Sequence, residues 1–250
     1  MDTQLNRDWI VPAWRAPARV RAVSTTRGGG VSLPPYASLN LAAHVGDEAG
    51  AVAANRQHLV RTLRLPAMPA WLQQEHGTGV VDAATVAAPV AADAAYAVAP
   101  GVICAVLTAD CLPVLLCDRG GRVVAAVHAG WRGLAAGVIE QTVAALPVTG
   151  AELLAWLGPA ISAQAYVVGE EVRAAFLTHD PAAVAAFRPA RGGGWHADLY
   201  ELARRRLQRQ GVTEIQGGGR CTFLDPERFY SYRRDGVTGR MASLIWLQDV

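Results

Sequence analysis

Three side chains that could hold a soft or borderline metal ion stand at breaks in the chain: His76, Cys111 and His128. Two imidazoles and one thiolate suit zinc, with a fourth position left for water or substrate, as catalytic zinc requires. The same donors accept copper, which such sites bind more tightly than zinc. Their scatter from 76 to 128 differs from the close spacing of a zinc finger and favours a catalytic ion over a structural one. Other readings stay open on residue type alone. Cys111 could be a nucleophile activated by His128, or the two could be a buried small hydrophobe and a satisfied core histidine.

The elements that must position these groups follow from local pattern. His76 sits at a glycine-bounded break between two short strands within 71–81. Cys111 and His128 flank an expected hairpin, in which the apolar runs 114–117 and 123–127 are separated by Asp118-Arg-Gly-Gly-Arg122. A three-residue loop over 119–121 pairs Asp118 with Arg122 and sets Cys111 opposite Ala129. Strict alternation then puts Cys111 and His128 on opposite faces, unless Pro113 kinks the chain. After His128, Gly130-Trp-Arg-Gly133 leads into a helix over 134–146, with Leu134, Val138, Ile139, Thr142 and Leu146 on one stripe. A helix start at Gly133 would offer free N–H groups to an anion such as phosphate. Arg27, Arg233 and Arg234 are candidates for anion recognition, because a guanidinium fork beside a glycine turn matches phosphate geometry. Surface pairing with Asp225, Glu227 or Asp235 is the competing reading for each.

The rest of the chain reads as scaffold. Strands are expected over 18–24, 102–107, 152–157 and 243–247. Helices are expected over 51–63, with Asp47 as N-cap, over 170–177 and over 198–210. An alanine-rich loop with one short turn or strand fills 83–99, where Asp93 and Tyr96 are the distinctive residues. With neither internal repeat nor separating linker, residues 1–250 read as a single α+β domain of mixed β-sheets with helices packed on the outside.

Composition narrows the function. The 250 residues suffice for a substantial core. A net charge of +2 with interspersed signs does not suggest a nucleic-acid partner, and Arg204, Arg205, Arg206 and Arg209 read as a solvated helix face. No apolar run reaches the roughly 18 residues of a membrane span. The acidic N-terminus lacks the apolar core of a secretory signal. The four cysteines, Cys104, Cys111, Cys117 and Cys221, are too sparse for a disulfide scaffold, so a reducing, cytoplasmic setting is expected. Cys104 and Cys117, inside apolar strands, read as core. His44, His58, His179 and His196 read as surface residues. The chain has no lysine, which excludes Schiff-base and P-loop lysines and leaves anion recognition to arginine or backbone N–H.

Five ordered motifs now bear on identity: Trp71-Leu-Gln-Gln-Glu-His-Gly, Thr108-Ala-Asp-Cys-Leu-Pro-Val-Leu-Leu, Val127-His-Ala-Gly-Trp-Arg-Gly, Gly158-Pro-Ala-Ile, and Phe229-Tyr-Ser-Tyr-Arg-Arg-Asp-Gly-Val-Thr-Gly-Arg. Together they resemble the YfiH-like family, also called the laccase-domain or multicopper polyphenol oxidase family, whose members have been reassigned as purine nucleoside phosphorylases. The likeness spans 25–240. It implies a zinc ion held by His76, Cys111 and His128, and phosphorolysis of adenosine, inosine and methylthioadenosine together with deamination of adenosine. The implied partners are a small purine nucleoside and phosphate. Arg27, Asn40 and Arg233 are the expected substrate contacts. Copper-dependent polyphenol oxidation and Cys-dependent hydrolysis that edits peptidoglycan precursors are the alternatives. The scattered histidines form none of the His-x-His repeats of a true multicopper oxidase. One departure is visible: the family commonly has an acidic residue in the segment after Gly-Pro-x-Ile, where this chain reads Tyr166-Val-Val-Gly169.

Overall fold

The computed structural model describes residues 8–249. Residues 1–7, which carry most of the reading of the N-terminus, and residue 250 lie outside the described residues. The chain runs through β1 (Val20–Ser24), α1 (Ala49–Leu63), β2 (Val80–Asp82), β3 (Ala94–Ala97), β4 (Ile103–Thr108), β5 (Leu112–Asp118) and β6 (Val124–Ala129). It continues through α2 (Trp131–Ala136), α3 (Val138–Ala145), β7 (Leu153–Leu157), β8 (Val167–Val168), α4 (Glu170–Leu177), β9 (Phe187–Pro189) and β10 (Trp195–Ala197). Then come α5 (Leu199–Arg209), β11 (Glu214–Gly217), α6 (Tyr232–Asp235) and β12 (Met241–Leu247).

A six-stranded sheet in the order β11-β7-β5-β6-β3-β2 forms the centre. Its middle pairings are antiparallel, while β2 on β3 and β11 on β7 are parallel, so the sheet is mixed. A second sheet, β1-β12-β4, packs against it, and a third, β8-β10-β9, is peripheral. The central strands are buried on both faces and therefore read as nearly unbroken apolar runs. In β5, Leu112, Val114 and Leu116 face α3, α4 and α5, whereas Leu115 and Cys117 face the second sheet. The second sheet alternates likewise: Cys104, Val106 and Ile245 face the six-stranded sheet, while Ile103, Ala105 and Leu244 face Leu59 of α1 and Leu39 and Leu41 of the early loop. The α+β class with helices outside mixed sheets thus follows from layers of helix, sheet, sheet and helix. Among the described residues no helix is long and apolar enough to cross a membrane.

Several local expectations shift for identifiable reasons. The helix expected over 134–146 begins earlier, at Trp131, and breaks at Gly137, whose φ of 102° is left-handed; the five stripe residues are nonetheless all buried. Glu48, not Asp47, caps α1, accepting from Gly50 and Ala51. The Asp47 carboxylate is taken instead by Ser32 and Asn40. The stretch before His76 is not a strand of its own. It is pinned by single bridges at Ala70 and Gln73 and by the Gln74 side-chain amide, which bonds both the N–H and the carbonyl of Leu107. The alanine-rich segment supplies β3, paired on both sides within the six-stranded sheet.

Candidate metal centre and the cavity beside it

The β5–β6 turn decides where the site residues point. The Asp118 carboxylate, wholly buried, accepts N–H bonds from Gly120, Arg122 and Val123. Those bonds fold residues 119–122 into a four-residue loop closed by Asp118 N–H on the Val123 carbonyl. Every cross-strand pair is therefore displaced by one residue from the three-residue expectation: Leu112 faces Ala129, and Pro113 faces His128. A one-residue displacement exchanges faces. Extended past Leu112, the observed register puts Cys111 on the face that His128 uses, and Pro113 stays within β5.

His76 reaches the same point from its turn. It has a left-handed φ of 59°, and the turn is folded around the buried carboxylate of Asp93, just before β3. Asp93 accepts from the main-chain nitrogens of Glu75 at 3.2 Å, His76 at 3.0 Å and Gly77 at 2.7 Å. It also lies 2.7 Å from His128 Nδ1. A carboxylate on Nδ1 leaves Nε2 of His128 as the ligating nitrogen. The ligand atoms of His76, Cys111 and His128 all lie within 4.8 Å of one another, the one such cluster among the described residues. Cys111 Sγ is 3.7 Å from His76 Nε2, and the two imidazoles meet edge-on at 4.8 Å.

Two glycines make room for this convergence. A Cβ on Gly130 would lie 2.7 Å from His76 Cδ2 and 3.1 Å from Cys111 Sγ. One on Gly133 would lie 2.6 Å from the Gly77 carbonyl oxygen, so α2 packs directly on the histidine turn. Gly133 is thus a packing residue inside α2 and not the helix start, which lies at Trp131.

The electrostatics favour a bound cation. Burial opposes the Cys111 thiolate, but His128 and His76 outweigh it and bring the thiol down to about 6. Burial likewise opposes the His128 cation, yet the Cys111 thiolate and Asp93 raise it to about 9. Without metal the pair holds a thiolate against an imidazolium, and a divalent ion would replace that proton. Cys117 behaves oppositely: burial first and Asp118 second push it up to about 12. Donor set, convergence and the carboxylate behind His128 together fit a three-protein-ligand ion.

A cavity of about 550 Å³ opens beside the three ligands. Arg132, Arg233, Arg240 and His44 line it with positive or titratable groups, Asp110 with a carboxylate, and Trp131, Ile161, Tyr166, Leu199 and Tyr232 with apolar and aromatic surface. Arg233 stacks over Tyr166 at 5.1 Å, and Arg240 over Tyr232 at 5.8 Å. Tyr166, from the segment where the family pattern commonly has an acid, therefore serves as cavity wall.

Of the residues singled out by type and motif, the structure brings together His76, Cys111, His128 and Arg233. Arg27 and Asn40 stand outside the lining. Arg27 donates to the carbonyls of Ala37 and Pro226 and stacks on Tyr230 at 4.8 Å. Asn40, wholly buried, bonds Ala42, Asp47 and the main-chain nitrogen of Arg240. Arg234 is spent on Asp235 and on the carbonyls of Thr222, Phe223 and Phe229. His44 is exposed, as expected, but faces the cavity. Sequence reasoning missed Asp93, Arg132 and Arg240 as site residues. The signals were a lone acid in an alanine-rich stretch and two motif arginines, Arg132 next to last in one motif and Arg240 last in another.

With this geometry, the class can be stated. Residues 21–248 match the model of the family described as multi-copper polyphenol oxidoreductase laccase, and the chain belongs to that family, the YfiH-like proteins. Over 242 residues it is 57% identical to a Pseudomonas aeruginosa protein named purine nucleoside phosphorylase, covering 96% of this chain and 99% of that one. It is 54% identical over 241 residues to "Purine nucleoside phosphorylase YfiH" of Escherichia coli K12, covering 95% of this chain and 98% of the relative. The crystal structure of Neisseria meningitidis protein NMB0706 superposes with a TM-score of 0.94 at 52% identity, covering 97% of this chain and 100% of the other.

Proposed function

We propose that this chain is a cytoplasmic, zinc-dependent purine nucleoside phosphorylase acting on adenosine, inosine and methylthioadenosine, with adenosine deaminase activity. The observation that carries the reading is that His76, Cys111 and His128 meet on the wall of a cavity that also presents Arg132, Arg233 and Arg240. The phosphorylase names of the relatives support it. The cavity volume lies in the range of small-molecule sites.

Phosphorolysis joins a phosphate oxygen to C1′ of the ribose as the C1′–N9 bond breaks. The bonding pair leaves with the purine, which takes up a proton, and the products are free base and ribose 1-phosphate. The arginines hold the phosphate by charge-assisted bonds, while Trp131, Ile161 and Leu199 offer the purine an apolar wall. Arg233 touches substrate directly, and Arg27 and Asn40 act from behind the lining. A zinc ion held by His76, Cys111 and His128 would supply Lewis acidity. In deamination, water replaces the 6-amino group of adenosine and ammonia is released.

The test is zinc-loaded protein with inosine, with and without phosphate. Hypoxanthine and ribose 1-phosphate are expected only with phosphate and are lost in Cys111→Ala, while adenosine yields ammonia without phosphate. No turnover with zinc bound and phosphate present rejects the reading.

Two other readings each have an observation in their favour. The family description and the His₂Cys donor set favour copper-dependent phenol oxidation, which copper-dependent oxygen uptake with a phenol would reveal. The lowered Cys111 thiol favours a nucleophilic hydrolase editing peptidoglycan precursors. Covalent trapping of Cys111 in metal-free protein would support that one.

A further inference from the structure

Arg233 and Arg240 both line the cavity, and among the described residues neither forms an ion pair with a carboxylate. Arg233 gives Nη1 to the Val167 carbonyl at 2.7 Å. Arg240 gives Nη1 to the carbonyls of Thr238 and Gly239 at 2.9 and 3.0 Å. Nε and Nη2 of both make no hydrogen bond among the described residues, and each guanidinium lies over a ring, Arg233 over Tyr166 and Arg240 over Tyr232. Asp110 is the one carboxylate lining the cavity among the described residues, and it acts on Arg240 through its charge; the two guanidiniums keep spare donors that suit an anion.

The main chain of each arginine is anchored in the same manner by a buried side chain from far along the sequence. The Arg240 N–H donates to Asn40 Oδ1 at 2.9 Å, and the Arg233 N–H to Asp110 Oδ2 at 2.7 Å. Asn40 is itself held by Asp47 at 2.9 Å, and its carbonyl accepts from the buried Asn55. Asp110, beside Cys111, has a left-handed φ of 96° and also accepts from Thr222 Oγ1 at 2.6 Å and Ser231 Oγ at 3.0 Å. A left-handed φ on a non-glycine residue persists only where surrounding bonds impose it. Neither acceptor suits a direct contact with phosphate: Asn40 is fully enclosed, and Asp110 is an acid whose two oxygens already serve donors.

We propose that Asn40 and Asp110 are positioning residues. Each anchors the backbone of one cavity arginine, and together they hold Arg240 and Arg233 as a two-arginine grip on the phosphate co-substrate, in the cavity that His76, Cys111 and His128 also line. This rests on the phosphorylase reading for the identity of the anion, while the anchoring geometry is independent of it. Holding both forks in place beforehand removes ordering entropy that binding would otherwise have to supply.

The test titrates inorganic phosphate into the zinc-loaded protein by calorimetry and measures kcat and KM for phosphate and inosine, in wild type, Asn40→Ser and Asp110→Asn. The expected result is a phosphate Kd and KM raised roughly tenfold in each variant, about 1.4 kcal/mol, with the inosine KM and zinc content unchanged. Should either variant fail to fold, Arg233→Met and Arg240→Met, on exposed and half-buried side chains, must show the same selective loss of phosphate. Unaltered phosphate affinity in the variants overturns the proposal, as does a joint fall in phosphate affinity, inosine affinity and zinc content. Wild-type protein that binds phosphate but does not cleave inosine removes the phosphorylase reading and leaves the grip standing. Wild-type protein that binds no phosphate overturns the grip.

Discussion

Asp93 Oδ1 lies 2.7 Å from Nδ1 of His128 and 3.0 Å from the main-chain nitrogen of His76. A single buried oxygen thus orients one imidazole of the candidate metal site directly and the other through its backbone. Burial raises the Asp93 carboxyl, but His128 and the N–H groups of Gly77 and Glu75 reverse this and hold it below its ordinary value. Replacing it, as in Asp93→Asn, is expected to weaken zinc binding by roughly 10- to 100-fold, measured by competition with a chelator. Unchanged affinity would detach Asp93 from the metal centre.

Gly130 tests the convergence sterically. In Gly130→Ala the new methyl falls 2.7 Å from His76 and 3.1 Å from Cys111. Because His76 is exposed, the variant is expected to fold with the imidazole displaced and to bind substoichiometric zinc. Metal analysis beside a thermal melt decides; full zinc occupancy with an unchanged melting temperature would show that the cradle is looser than these contacts imply.

Cysteine reactivity reports the electrostatics. In metal-stripped protein, Cys111 forms its thiolate above about pH 6, where the ordinary value is 9.0. Alkylation by iodoacetamide should therefore rise through about pH 6 and be blocked by zinc. Cys104 and Cys117, fully buried and shifted upward, should resist. A midpoint near 9 for Cys111 would contradict the thiolate–imidazolium pair.

Asp118 governs the hairpin register, so Asp118→Asn is expected to destabilise the fold by about 2 kcal/mol through donors left unpaired. The exposed Arg122 adds little. Burial raises the Asp118 carboxyl, but Arg122 and the N–H groups of Val123, Arg122 and Gly120 depress it overall. Its contribution is therefore present above the unfolded value of about 4 and is lost as the pH falls through the lower folded value. Urea unfolding should show the gap between wild type and variant at pH 7 and its closure in strong acid.

Much of the candidate site is legible in the sequence. His76, Cys111 and His128 stood out because ligation is a property of side-chain type, and because glycine breaks mark where a chain leaves regular structure. The strands of the core were visible as apolar runs, since burial on both faces demands them. The five motifs carried the family. What could not be read was how distant segments meet. The roles of Asn40 and Asp110 depend on partners 200 and 123 positions away, and Asp93 gave no local sign that three N–H groups and an imidazole would share its carboxylate.

The hairpin draws the line most sharply. The sequence by itself determined that a thiol and an imidazole would flank one turn, because residue type and short-range alternation are local properties. Only the tertiary structure decided that both would use the same face. Loop length turned on whether the Asp118 carboxylate would be buried among backbone donors, and that burial depends on strands and side chains contributed from elsewhere in the fold.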